Sequence, residues 1–113
     1  MRPGSVVLVR FPFTSLEHAK KRPALVLAIV KHSPKIQLVT FAMITSKLDG
    51  LDLEGDIPLR DWEGAHLLHP GLVRLSKIAT ADRELIEQEL GVLSEGDHKE
   101  VAKVFRKLYK SWI

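Results

Sequence analysis

The sequence predicts a mainly β, α+β chain: a small barrel of short strands with one C-terminal helix. Three observations carry this. Short runs of β-branched and apolar residues recur from Ser5 onward, each ended by Pro, Gly or charged turn residues. Near the end, Val101, Val104, Phe105, Leu108 and Trp112 follow helical spacing, with Lys103, Arg106, Lys107 and Lys110 around the other side. Five or six strands this short need their edges covered, so the helix is expected over an edge or an open end. A chain of 113 residues falls in the usual single-domain range of about 100–150, so residues 1–113 are expected to form one domain.

The elements can be justified in order. Residues 5–11, SVVLVRF, read as a strand ended by Pro12. Residues 11–22 have turn residues and charge but no period, and read as a loop. Residues 23–30, PALVLAIV, are continuously apolar after a leading proline, which fits a strand buried on both faces. HSPK at 32–35 is a hairpin turn into a further strand over 35–45. The acidic, Gly-containing stretch 46–56 leads to a short strand at 57–59; residues 61–71 are loop, and 72–80 form a strand. Residues 82–93 stay open: Leu85, Ile86, Glu89 and Leu90 suit a helix, whereas Ile86, Gln88 and Leu90 suit one face of a strand. Ser94 is a good N-cap, with Asp97 placed as in a capping box.

Composition narrows the function. There are no cysteines, which removes disulfides, thiolate metal sites and a cysteine nucleophile. The longest apolar run is the seven residues 24–30, too short to cross a bilayer, and the N-terminus has no signal-peptide pattern, so a cytoplasmic protein is expected, with no membrane partner. The net charge of +3 conceals segregation. Residues 1–47 carry eight Lys/Arg against one acid, residues 48–100 five against thirteen, and residues 101–113 four against none. Such a pattern makes a basic face and an anionic partner credible, although loops of opposite sign that neutralise one another in the fold would read the same.

Six stretches taken together resemble the MazF/PemK-type toxins of bacterial toxin–antitoxin systems: GSVVLVRFPFT (4–14), KRPALVL (21–27), AMITSKL (42–48), DIPL (56–59), GLVRLSKI (71–78) and LGVLSEGDHKEVAKVFRKL (90–108). They cover nearly the whole chain, in order. The resemblance implies an SH3-like barrel of the MazF/PemK/CcdB kind, with residues 86–92 as a strand. It also implies a homodimer and a metal-independent endoribonuclease cutting single-stranded RNA, needing no cofactor and held inactive by a cognate antitoxin.

The resemblance names site residues. Arg22 of the "RP" pair matches the arginine at the mouth of the RNA groove, and Thr45 of "ITS" the catalytic threonine. Attack of a 2′-hydroxyl on phosphorus requires alignment and neutralisation of the charge that develops there. A guanidinium offers planar donors to phosphate, and a hydroxyl on a stiff strand adds another. Arginine is a poor proton acceptor, so Glu17, five residues before Arg22, is the candidate base or orienter of Arg22, with His18 as the alternative. Arg74 matches a second functional arginine, but Ser76 stands where an aspartate is usual, so a phosphate contact competes with an ion pair to an acid in 49–63. Lys20, Lys21, Ser46 and Lys47 flank the expected groove as RNA contacts. Phe13 and Trp62, in loops, are candidate base stackers, while Phe41 is assigned to the core. His66 and His69 have the spacing of a metal pair but no obvious third ligand, and no metal site is assigned. Two alternatives stay open: a toxin of the same fold that poisons DNA gyrase, as CcdB does, hinted at by the terminal SWI (111–113), and a member that holds RNA without cutting it.

Overall fold

Alternating side chains in the first strand set the architecture. Val6 packs into one core cluster while its neighbour Val7 packs into another, so the sheet is buried on both faces. The computed structural model describes residues 1–11, 20–46 and 52–113. Strands β1 (Ser5–Phe11), β2 (Lys20–Lys31), β3 (Gln37–Thr45), β4 (Asp56–Pro58), β5 (Leu72–Asp82) and β6 (Ile86–Val92) form one antiparallel sheet in the order β4-β5-β3-β2-β1-β6. The barrel expected from sequence is therefore not closed: among the described residues, β4 and β6 are its two edges. Bulges in the β1–β6, β2–β3 and β3–β5 ladders increase local twist and bend the sheet.

One core cluster holds Leu25, Ile44, Val73 and Leu75 and is covered by helix α1 (Glu95–Leu108) through Val101, Val104 and Leu108. The other holds Val9, Val26, Val39 and Phe41, with Leu85 of the β5–β6 connection and Ile86 at the start of β6 packed against it. That connection is a single 3₁₀ turn, Arg83–Leu85, capped by the Asp82 carboxylate accepting from the Glu84 amide at 2.9 Å. The strand reading of 86–92 holds because β6 pairs along β1, and only a strand there satisfies that edge.

Two local expectations change. Strand β2 begins at Lys20 rather than Pro23, because Lys20, Lys21 and Arg22 already pair with Phe11, Arg10 and Val9 of β1. The helix stops at Leu108, and Trp112 falls in a following 3₁₀ turn (Lys110–Trp112), 86% exposed. Tyr109 takes the place over the sheet that periodicity gave to Trp112. Its hydroxyl donates to the Leu75 carbonyl at 3.2 Å, and its ring packs on Phe105 at 4.8 Å.

The helix start joins fold to site. Ser94 Oγ accepts from the Asp97 amide at 3.1 Å, the first half of a capping box. The Asp97 carboxylate, 3% exposed, does not turn back to the cap but accepts from the Arg60 and Asp61 amides at 3.0 and 2.9 Å. It thereby anchors the start of the segment running to β5. From Asp61 that segment winds into successive turns, with Ala65 N donating to Asp61 O and Leu67 N to Trp62 O.

Candidate nucleic-acid interface

Strand pairing opens a cleft at one end of the sheet. The β2–β3 ladder begins with Ala24 opposite Met43. Before Ala24, β2 continues to pair with β1, with Pro23 opposite Leu8 and Arg22 opposite Val9. After Met43, β3 continues to pair with β5, with Ile44 opposite Val73 and Thr45 opposite Leu72. Two strands that part company while each keeps its other neighbour leave a fork between them. Pro23 suits the point of divergence, since it has no N–H to give to a strand that is no longer there.

The fork is a cleft of about 640 Å³. One wall carries Lys20, Lys21 and Arg22 of β2; the other carries Ile44, Thr45 and Ser46 at the end of β3. Residues 66–71, which lead into β5, close the third side, and Leu8 and Leu90 add apolar surface. Among the described residues that line it there is no carboxylate, so its charge is cationic. Arg22 is exposed on a strand rather than on a loop, which fixes its Cα while leaving the guanidinium open to a ligand. Lys21 also reaches Glu87 at 3.7 Å, an acid that Arg10 engages more closely.

The third wall is held at close range. His66 adopts φ 61°, an uncommon backbone conformation for a residue with a side chain. Its Nδ1 lies 2.6 Å from the Leu90 carbonyl oxygen. A carbonyl only accepts, so Nδ1 carries the proton and donates. The loop runs directly over Gly91: a Cβ there would stand 2.7 Å from the Ala65 carbonyl oxygen and 3.1 Å from His66 Nδ1. Only glycine allows that approach.

Of the residues singled out from sequence, Arg22, Thr45, Lys20, Lys21 and Ser46 all meet in this cleft. Glu17, His18, Lys47 and Phe13 lie outside the described residues. Arg74 is not among the described residues lining the cleft. It stands opposite Asp56 in the β4–β5 ladder, where its Nε and Nη2 donate to the two carboxylate oxygens at 2.9 and 3.0 Å. The ion pair to an acid in 49–63 is thus present, with Asp56 as the acid. Burial by itself would raise the Asp56 carboxyl, but hydrogen bonds from Arg74 and from the Leu53 amide, with the Arg74 charge, outweigh it and hold it below its ordinary value. The hydrogen bond to Asp56 raises the Arg74 guanidinium in turn. Trp62 is half-buried against the first core cluster rather than presented as a free stacking face. Phe41 is fully buried, as assigned.

Sequence reasoning did not foresee that His66 and His69 share this cleft with Arg22 and Thr45. Their spacing raises a metal pair without a third ligand, and no metal is assigned; among the described residues no group of three or more His, Asp or Glu side chains could hold one. The signal available was position: the loop precedes a strand that turned out to neighbour β3. A second depression, about 530 Å³, lies between α1 and the β2–β3 side of the sheet, and its lining is mostly apolar.

A curled antiparallel sheet with one covering helix thus holds a guanidinium, two lysines and two hydroxyls around a single cleft. Comparison with known proteins gives the family. A family model described as PemK-like, MazF-like toxin of type II toxin-antitoxin system matches residues 2–109, and the chain belongs to that family. Among solved structures it is similar to the Mycobacterium tuberculosis toxin MazF-mt6, at 20% identity and a TM-score of 0.68 over 94% of this chain and 96% of that one. It is also similar to a MazE–MazF structure from Deinococcus radiodurans, at 20% identity and a TM-score of 0.69 over 96% and 93% of the two chains. A mycobacterial endoribonuclease in complex with its cognate antitoxin aligns at 12% identity with a TM-score of 0.67 over 95% and 90%. Among curated proteins no match was found. No helix among the described residues is long and apolar enough to cross a membrane.

Proposed function

We propose that this toxin is an endoribonuclease, a single 1–113 domain that acts as a cytoplasmic homodimer and is restrained by a cognate antitoxin. It cleaves single-stranded RNA without a metal ion, through attack of a 2′-hydroxyl on the adjacent phosphorus, leaving a 2′,3′-cyclic phosphate and a 5′-hydroxyl. One observation carries the reading: Arg22 and Thr45, far apart in sequence, line one cleft whose described walls hold cations and no carboxylate.

In this reading Arg22 clamps the scissile phosphate through two parallel donors and neutralises charge as the phosphorane forms. Thr45 adds a donor from a stiff strand. Lys20, Lys21 and Lys47 hold flanking phosphates, Ser46 a further backbone oxygen, and Phe13 a base. Glu17 orients Arg22. Arg74 contacts RNA outside the cleft while Asp56 holds its guanidinium in place. The antitoxin's acidic-hydrophobic tail competes with RNA for the same cationic surface.

The test is purified protein with a long RNA in EDTA, followed by mapping of the cut ends. Cyclic phosphate ends are expected, with a loss of about 10²–10³-fold in kcat for Arg22→Ala. Undiminished cleavage by that variant refutes the assignment.

A further inference from the structure

We propose that His66 is the proton acceptor of the RNA cleavage reaction, an assignment that rests on the endoribonuclease reading. Three independent features of the residue point there.

First, His66 lines the same cleft as Arg22 and Thr45. Second, its Nδ1–H donates to the Leu90 carbonyl at 2.6 Å. With that nitrogen protonated, the neutral ring carries its lone pair on Nε2. A base oriented through its other nitrogen is the arrangement general-base histidines use. Third, the backbone at His66 sits at φ 61°, a conformation that side chains other than Asn, Asp and His rarely adopt. The same loop passes close over Gly91, where a Cβ would stand 2.7 Å from the Ala65 carbonyl oxygen and 3.1 Å from His66 Nδ1. Strain upheld by its surroundings, in a residue bearing a titratable ring, marks a site where orientation matters.

The step balances as follows. Nε2 removes the 2′-hydroxyl proton as O2′ bonds to phosphorus, and the P–O5′ bond breaks. The departing 5′-oxygen takes a proton from water, and the imidazolium returns its proton to the hydroxide so formed. Arg22 neutralises the phosphorane between these events. His66 supplies the proton acceptor that a guanidinium cannot.

The test uses His66→Asn and His66→Gly with a defined RNA oligonucleotide. Asparagine tolerates the left-handed backbone, and its amide can still donate to the Leu90 carbonyl, so it keeps the anchor while removing Nε2. Glycine accepts the same φ without strain and leaves room for a free imidazole. The expected result is kcat lower by about 10²–10⁴-fold in both variants, with KM unchanged. Added imidazole is expected to restore His66→Gly in proportion to its concentration. Should the Asn variant fail to fold, as judged by its melting temperature, the Gly variant and its rescue decide alone. Cleavage by His66→Asn within about threefold of the parent overturns the assignment, as does a defective Gly variant that imidazole does not rescue. If the parent itself leaves RNA intact, the nuclease reading fails along with it. A parent that cuts beside an Asn variant that cuts equally well removes only the role of His66.

Discussion

Replacing Asp97 by asparagine tests the tie between helix and cleft wall. The carboxylate is 3% exposed and accepts from the Arg60 and Asp61 amides at 3.0 and 2.9 Å. Asparagine preserves the shape but offers one acceptor oxygen where there were two, so one amide meets an N–H₂ group instead. The loss of one charge-assisted hydrogen bond is about 1.5–3 kcal/mol. Removing a negative charge from the first turn of α1 adds about 0.3–1 kcal/mol. A total of about 2–4 kcal/mol corresponds to a fall in Tm of roughly 8–16 °C, at about 4 °C per kcal/mol for a chain this size. Hydrogen exchange supplies the second readout: the Arg60 and Asp61 amides should exchange faster by local opening. Ser94→Ala is the comparison, because it weakens the same helix end by about 1 kcal/mol without touching those two amides. A Tm within about 2 °C of the parent, with exchange at positions 60 and 61 unaltered, would refute the claim that Asp97 holds the wall.

Other outcomes follow from the same geometry. Gly91→Ala should force the Ala65 carbonyl, 2.7 Å from the new Cβ, to retreat by several tenths of an ångström. The change should cost about 1–3 kcal/mol in a thermal melt and displace His66, lowering kcat in the cleavage assay. Because the folded Asp56 carboxyl titrates below its ordinary value of 3.8, its contribution is present above that pH and disappears as acid protonates it. Urea titrations from pH 6 down to about pH 2 should show stability falling with pH, and Asp56→Asn should flatten that limb. Lys20→Ala and Lys21→Ala should each reduce the salt slope of RNA affinity by about one while leaving sequence preference alone. Deleting Trp112 and Ile113, 86% and 88% exposed, should leave the melting temperature within about 2 °C. RNA cleavage should survive that deletion too, whereas a gyrase poison would lose growth arrest with cleavage intact.

Local chemistry was legible where one residue's environment is set by its neighbours in the chain. The β-branched runs became strands, Ser94 capped the helix, and Phe41 went to the core, because pleat, cap and hydrophobic transfer all act over a few residues. The ambiguity over residues 82–93 was real at that level. The pattern suits helix or strand, and what settled it was an open edge on β1 that only a strand can pair. Trp112 shows the converse: helical spacing put it on the buried face, but the helix ended at Leu108, and Tyr109 had already engaged the sheet.

By itself the sequence determined which chemical groups exist and what stands beside them in the chain: a guanidinium directly before Pro23, a threonine ending an apolar run, and acids kept apart from most of the bases. That Arg22 sits on a strand was decided by its pairing with Val9 of β1. Only tertiary structure decided which of them meet. Arg74 pairs with Asp56 across the β4–β5 ladder, and the loop holding His66 lines one cleft with Arg22 and Thr45 because β5 pairs with β3 while β1 pairs with β2. Strand order is a property of long-range pairing, whose free energy is distributed over many contacts and written in no short stretch of chain.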